Sequence, residues 1–166
     1  MSVITFDDLD VAAGHHLLLR GVCGNIPRGK IVGLVAPNGS GKTTLMKVLA
    51  ALDGPRSRGK VSADGIPPSS ETAYRKLVFY VPGDASILYP SLTVRENLKI
   101  AARCWPVRND LEVLSDRCAI TSFLDKRVRA LSLGMKQQAA LAVGYMTGAR
   151  YLILDEPMNA LDPYES

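Results

Sequence analysis

Cysteine is scarce in this chain of 166 residues and badly placed for cross-linking. Cys23, Cys104 and Cys118 are odd in number, widely spaced and lack a CxxC pair. That excludes a disulfide framework or a zinc site and fits reduced thiols in a cytosol. No apolar run approaches the ~20 residues that a membrane-spanning helix needs. The opening Met1-Ser-Val-Ile-Thr-Phe-Asp-Asp lacks the basic and apolar regions of a secretory signal. Internal repeats and low-complexity stretches are also missing. The net charge is +4, but Arg and Lys are scattered, so they read as a solvated surface rather than a nucleic-acid footprint. What remains is an ordinary soluble domain, long enough to bury roughly two-thirds of its unfolded surface, which could still dock on a membrane partner.

What is present begins with Ile31-Val-Gly-Leu-Val-Ala-Pro-Asn-Gly-Ser-Gly-Lys-Thr-Thr-Leu45. An apolar run that reads as a buried strand feeds a glycine-rich loop, and a helix follows from about Thr43 to Leu52. Glycines let successive backbone N–H groups converge on an anion, and the helix N-terminus adds its positive dipole end. Ala36, Pro37, Asn38, Gly39, Ser40, Gly41, Lys42, Thr43 and Thr44 are therefore the candidate nucleotide-binding residues. Lys42 would reach the β/γ-phosphates, and the Thr43 hydroxyl would sit on Mg²⁺. The bland alternative is a Gly/Ser turn that happens to precede a lysine.

Around this loop, residues 2–6 and 17–23 read as strands joined through Gly14-His-His, and Gly59–Ile66 as a short strand and turn. Leu77–Val81 is a buried strand ended by Pro82-Gly83. A helical stretch runs from Thr93 to about Leu133, opening with the capping-box pattern Thr93-Val-Arg-Glu96. Ser132 caps a further helix that closes at Gly148. Tyr151–Leu154 is a continuous apolar strand of the kind buried parallel sheets require.

That last strand ends in Asp155-Glu156-Pro157. A carboxylate pair there is costly unless something positive faces it. If the strand shares a sheet with Ile31–Val35, Asp155 would hold Mg²⁺ through water and Glu156 would polarise the attacking water. Taken alone, the segment is a strand end and turn. Ser132 and Gly134 offer a hydroxyl, backbone N–H groups and a dipole to an anion, or simply a capped helix.

Together these pieces resemble the nucleotide-binding domain of ATP-binding cassette (ABC) ATPases. Ala36–Thr44 resembles the family's Walker A and Leu152–Glu156 its Walker B. Leu131–Gln137 resembles its signature motif in the Leu-Ser-Leu-Gly-Met-Lys-Gln form of bacterial exporters, Asn159–Asp162 its D-loop, and Tyr89–Leu98 the opening of its helical subdomain. The resemblance implies an α/β fold: a P-loop NTPase core with an N-terminal antiparallel β subdomain and an inserted helical signature subdomain. Residues 1–166 would form one incomplete domain, with 1–82 and 150–166 as core and about 84–149 as the helical region. It implies Mg²⁺ with ATP as substrate, metal contacts from Thr43 and Asp155, and Glu156 as the catalytic carboxylate. It also implies a head-to-tail pairing with a second ABC ATPase domain, identical or not. Ser132, Leu133, Gly134 and Met135 would then meet the partner's nucleotide, and Leu161 and Asp162 would lie in the D-loop. A transmembrane permease would be the other partner, nucleic acid would not be one, and the chain would work at the cytoplasmic face of the membrane. Catalysis would be mostly electrostatic positioning of the γ-phosphoryl group. The alternatives are a truncated module that binds nucleotide without turnover, or a soluble ABC ATPase of translation or DNA repair.

Four positions depart from the family's pattern. Ala36 replaces the first Walker A glycine, where binding is expected to persist. Gly83-Asp84 follows Val81-Pro82 where the Q-loop glutamine usually stands; glycine cannot ligand Mg²⁺, so either Asp84 substitutes or coupling is impaired. Ala13 replaces the aromatic that stacks on adenine, leaving His15 or His16 to stack or to be exposed loop residues. Finally, the chain stops at Ser166, before the strand and switch histidine that the family places beyond the D-loop. That strand lies between the Walker A and Walker B strands, so its loss would leave a gap of roughly 10 Å. Unpaired backbone groups there cost on the order of 1–3 kcal/mol each if buried, against a typical total of about 5–15 kcal/mol. The expectation is a fragment or a truncated reading frame with its C-terminal strands missing.

Overall fold

Alternating apolar residues near the N-terminus produce a long antiparallel hairpin, β1 (Val3–Ala13) with β2 (His16–Pro27). The computed structural model describes residues 3–52, 54, 56–105 and 109–157, and the chain divides into two compact units, Met1–Val78 and Phe79–Ser166. Val3 lies opposite Pro27 and Ala13 opposite His16. Both strands outrun the predicted 2–6 and 17–23. Register shifts between Phe6 and Leu9, and again up to Ala12, break the period-2 pattern on which a strand reading depends.

β3 (Arg56–Ala63) pairs antiparallel with the other edge of β1, giving the order β2-β1-β3. Gly59 has φ +121°, and a Cβ there would collide with the Asp8 carbonyl oxygen, so only glycine lets β3 pass the bulge. One face of β1 buries Ile4, Leu9 and Val11, and α1 (Lys42–Leu49) packs against it. Leu45, Val48 and Leu49 are the buried stripe of α1, spaced as one helical face. This helix stops before the predicted Leu52, because Ala51 turns left-handed at φ +53°. α2 (Glu71–Leu77) buries Tyr74, whose hydroxyl donates to the Leu49 carbonyl at 2.6 Å. Burial pushes that phenol up to about 12.

The predicted strand Ile31–Val35 is not formed. The segment belongs to no sheet among the described residues, with Ile31 103% and Val35 94% exposed. A strand is stable only through its neighbours' hydrogen bonds. With no ladder partner there, the apolar run stays outside any strand.

In the second unit, β4 (Val78–Val81) pairs with β5 (Tyr151–Leu154). The Asp155 N–H donates to the Val81 carbonyl at 3.0 Å. The carboxyl ends of the two strands therefore lie side by side, the parallel arrangement. The predicted helical stretch from Thr93 is broken into α3 (Val94–Cys104), α4 (Leu111–Arg117) and two 3₁₀ turns at 121–123 and 128–130. α3 ends where Trp105, which precedes Pro106, is extended at φ −115°, ψ 144°, as steric clash with a following proline ring requires. α5 (Leu133–Met146) follows, and Gly148 closes it with φ +61°.

The capping box forms as predicted: Thr93 Oγ1 accepts from the Glu96 N–H at 3.1 Å, and Glu96 Oε2 accepts from the Thr93 N–H at 2.7 Å. The core of this unit sits between α3, α4 and α5, with Val94, Leu98, Ile120, Leu124 and Met146 almost fully buried. Each such side chain is worth about 1.5–3 kcal/mol relative to exposure. Gly144 lets α5 lie directly on β4, since a Cβ there would come within 2.8 Å of Val81 Cγ2.

Candidate nucleotide site

The phosphate loop is shaped locally rather than by a strand. Gly39 (φ +77°) and Gly41 (φ +92°) take left-handed conformations that other residues adopt only with strain. Gly41 is also packed, for a Cβ there would stand 3.1 Å from Leu18 Cβ. The turn closes with the Ser40 N–H donating to the Pro37 carbonyl at 3.3 Å. Lys42 folds back over the loop and its Nζ donates to the carbonyls of Ala36 at 2.7 Å and Pro37 at 2.9 Å. α1 starts at this point with Gly41 as its N-cap and no side-chain cap. Its first N–H groups and dipole thus face the loop with no carboxylate competing for them. The Ser40 hydroxyl is buried with no hydrogen-bond partner among the described residues. Pro37, Asn38 and Gly39 are exposed, as is Thr43, while Ala36 and Thr44 are half-buried. The structure therefore brings Ala36–Thr44 together as a cationic, donor-rich cradle in the first unit.

Asp155 and Glu156 lie in the second unit. Asp155 is 7% exposed and accepts a hydrogen bond on Oδ2 from the Tyr80 hydroxyl at 2.8 Å. Burial, then that hydrogen bond, then the charges of Asp155 and Asp84 push the Tyr80 phenol well above its usual range. Tyr80 is thus a neutral donor throughout the working pH range. Glu156 is exposed and left-handed at φ +47°, a strained backbone of the kind that clusters at functional sites. Gly83 packs beneath the pair: a Cβ there would lie 2.8 Å from the Asp155 carbonyl oxygen and 3.5 Å from Glu156 Cβ. Glycine at 83 therefore has a steric reason. Asp84 Oδ1 accepts from the Ser86 N–H at 3.0 Å.

The signature residues begin α5. Ser132 Oγ accepts from the Met135 N–H at 3.3 Å, so the predicted cap forms. Leu133 stands 62% exposed, and Gly134 and Met135 are half-buried. Leu161 and Asp162 lie outside the described residues. Ala13, His15 and His16 are exposed at the end of the first hairpin. Sequence reasoning missed Tyr80; its signal was a lone hydroxyl in an otherwise apolar strand, two residues ahead of Pro82.

No group of three or more His, Cys, Asp or Glu suited to enclosing an ion occurs among the described residues. Mg²⁺ does not need one, since it keeps several waters and takes phosphate oxygens alongside one or two protein oxygens. The Thr43 hydroxyl and the buried Asp155 carboxylate are hard oxygen donors of the type it takes. No described helix is long and apolar enough to cross a membrane.

The family profile for ABC transporters matches residues 19–159. Over 165 residues the chain is 34% identical to YdbJ of Bacillus subtilis, an uncharacterised ABC transporter ATP-binding protein, covering 97% of this chain and 53% of YdbJ. It is 32% identical over 162 residues to SrtF of Streptococcus pyogenes, a lantibiotic transport ATP-binding protein, covering 97% of this chain and 69% of SrtF. The chain thus spans about half to two-thirds of these relatives' length. Among solved structures, the ATP-binding subunit of an ABC transporter superposes with a TM-score of 0.87 at 28% identity, covering 98% of this chain and 69% of that one. With the family's motifs in order along a matching fold, the chain belongs to the ATP-binding family of ABC transporters.

Proposed function

We propose that the chain binds Mg²⁺–ATP through Ala36–Thr44 and serves as the nucleotide-binding part of an ABC transporter, coupling ATP hydrolysis to transport through a membrane permease. The loop carries this reading: two left-handed glycines, an uncapped helix start, the Lys42 ammonium and the buried Ser40 hydroxyl all fall within residues 39–42. Those are donors without a matching anion among the loop's own side chains, which is what a phosphate requires. Thr43 and Asp155 are the proposed metal contacts and Glu156 the residue that polarises the attacking water. Mg²⁺, when bound, supplies charge neutralisation on the phosphates.

The catalytic unit is a pair, with Ser132–Met135 of one domain facing the nucleotide of another and Leu161 and Asp162 in the D-loop between them. The proposed location is the cytoplasmic face of the membrane, beside the permease. The Leu-Ser-Leu-Gly-Met form supports an export role.

A second reading is favoured by the exposed run Ile31–Val35: a chain that holds nucleotide without turning it over. One experiment separates the two. Titration with a fluorescent ATP analogue should show Mg²⁺-assisted binding that Lys42→Ala weakens. ATP turnover above that of the Lys42→Ala control removes the second reading. Absence of nucleotide binding to the unaltered chain would sink both.

A further inference from the structure

We infer that Tyr80 is a positioning residue that fixes the carboxylate of Asp155 toward the metal. The inference rests on the Mg²⁺–ATP reading above and deepens it. The segment 80–83 grips Asp155 from three directions. The Tyr80 hydroxyl donates to Oδ2 at 2.8 Å. The Val81 carbonyl accepts the Asp155 N–H at 3.0 Å. Gly83 lies so close under the Asp155 carbonyl that no Cβ fits.

A carboxylate can rotate about its terminal torsion with little intrinsic preference. The phenol removes that freedom: with Oδ2 held by a donor, the direction of Oδ1 follows from the position of the ring. Tyr80 is itself only 8% exposed, and its β4 backbone is tied to β5, so the donor is rigid. It is also neutral. An Arg or Lys in its place would cancel the carboxylate charge that draws a cation, whereas a phenol orients that charge and leaves it intact. A tyrosine in a strand otherwise filled by Val and Phe thus has a role that packing alone does not require.

The test is a Mg²⁺ titration of the binding of a fluorescent ATP analogue to the full chain, compared with binding in EDTA. Tyr80→Phe keeps the ring and removes the donor. It should raise the Mg²⁺ concentration for half-maximal binding about 10-fold, leave EDTA binding within about 2-fold, and have no further effect in an Asp155→Asn background. An unchanged Mg²⁺ midpoint, an equal fall with and without Mg²⁺, or a shift that persists with Asn at 155 overturns the inference. If the unaltered chain shows no Mg²⁺-assisted binding, the proposed function fails first and takes this inference with it. Should Tyr80→Phe not fold, 3-fluorotyrosine placed at Tyr80 provides a second probe. Its ¹⁹F resonance should move when Mg²⁺ is added to the ATP-bound chain and stay fixed in Asp155→Asn; no movement in the parent chain is the overturning result.

Discussion

Lys42 reaches back six residues and its ammonium donates to the carbonyl of Ala36 at 2.7 Å, so the residue that marks the end of the phosphate loop also closes it. A charge-assisted contact of this type is worth about 1.5–3 kcal/mol. Lys42→Ala should weaken ATP binding roughly 10- to 100-fold, the factor that such an energy represents. Secondary structure should survive, because among the described residues the Lys42 ammonium bonds to the loop carbonyls of Ala36 and Pro37. Nucleotide titration together with circular dichroism checks both parts. An unchanged affinity would remove Lys42 from the site.

The two glycines of the loop should differ in a stated order. Gly39→Ala meets only backbone strain at φ +77°, with nothing within 4 Å of the new methyl group. Gly41→Ala meets strain at φ +92° and also Leu18 at 3.1 Å. Left-handed backbone costs about 1–2 kcal/mol for a residue with a Cβ, so both variants should lower the urea midpoint, and Gly41→Ala the more. The reverse order would show that the packing against β2 does not constrain the loop.

Local chemistry was legible in the sequence, and non-local pairing was not. The capping box Thr93/Glu96 and the Ser132 cap form as read because both partners lie within one turn of helix. The hairpin was legible until the bulge at Phe6–Leu9 broke its period. α2 has no apolar stripe, with Tyr74 its one buried residue, so periodicity could not find it. Ile31–Val35 reads as a buried strand because hydrophobicity reports that burial is wanted. It cannot report whether a neighbour is there to supply it. The phosphate loop survives this failure because glycine backbone angles and the Lys42 contacts are set within seven residues.

Gly83→Gln restores the residue type usual at this place in the family, yet it should not improve the site. Its Cβ would sit 2.8 Å from the Asp155 carbonyl oxygen, a backbone atom that can yield only by displacing the end of β5. Stability should fall and the Mg²⁺ dependence of nucleotide binding should weaken. A urea titration and a Mg²⁺ titration of the variant read the two effects. A gain in Mg²⁺ response at undiminished stability would show that the turn 81–84 has slack.

Acid should loosen the second unit in a predictable window. Hydrogen bonds from the Thr93 backbone and side chain lower the Glu96 carboxyl, and the Arg95 guanidinium lowers Asp125. A depressed folded pKa stabilises above the unfolded value and is lost as pH falls through the folded one. The loss should therefore begin below about pH 4.3, the unperturbed carboxylate range, and continue downward. Glu96→Gln should remove the Glu96 share and flatten the decline in urea midpoint between about pH 4.5 and 3. An identical slope in the variant would mean that the capping box carries no linkage.

Glu156 holds its side chain on a left-handed backbone, φ +47°, immediately after the buried Asp155. That conformation costs on the order of 1–2 kcal/mol for a residue with a Cβ, so the position is held against its preference. Glu156→Gln retains shape and strain and removes the base, so it should keep ATP binding while stopping turnover in any form of the protein that hydrolyses ATP. Glu156→Gly relieves the strain at the expense of a more flexible unfolded chain, a term of about 0.4–1 kcal/mol. Its stability should equal or exceed that of the parent by up to ~1 kcal/mol, with turnover lost. Parallel urea titrations, nucleotide binding and phosphate release separate these outcomes. A glycine variant clearly less stable than the parent would show that Glu156 is held by its contacts rather than strained. Equal loss of binding and turnover in Glu156→Gln would remove it from the chemical step.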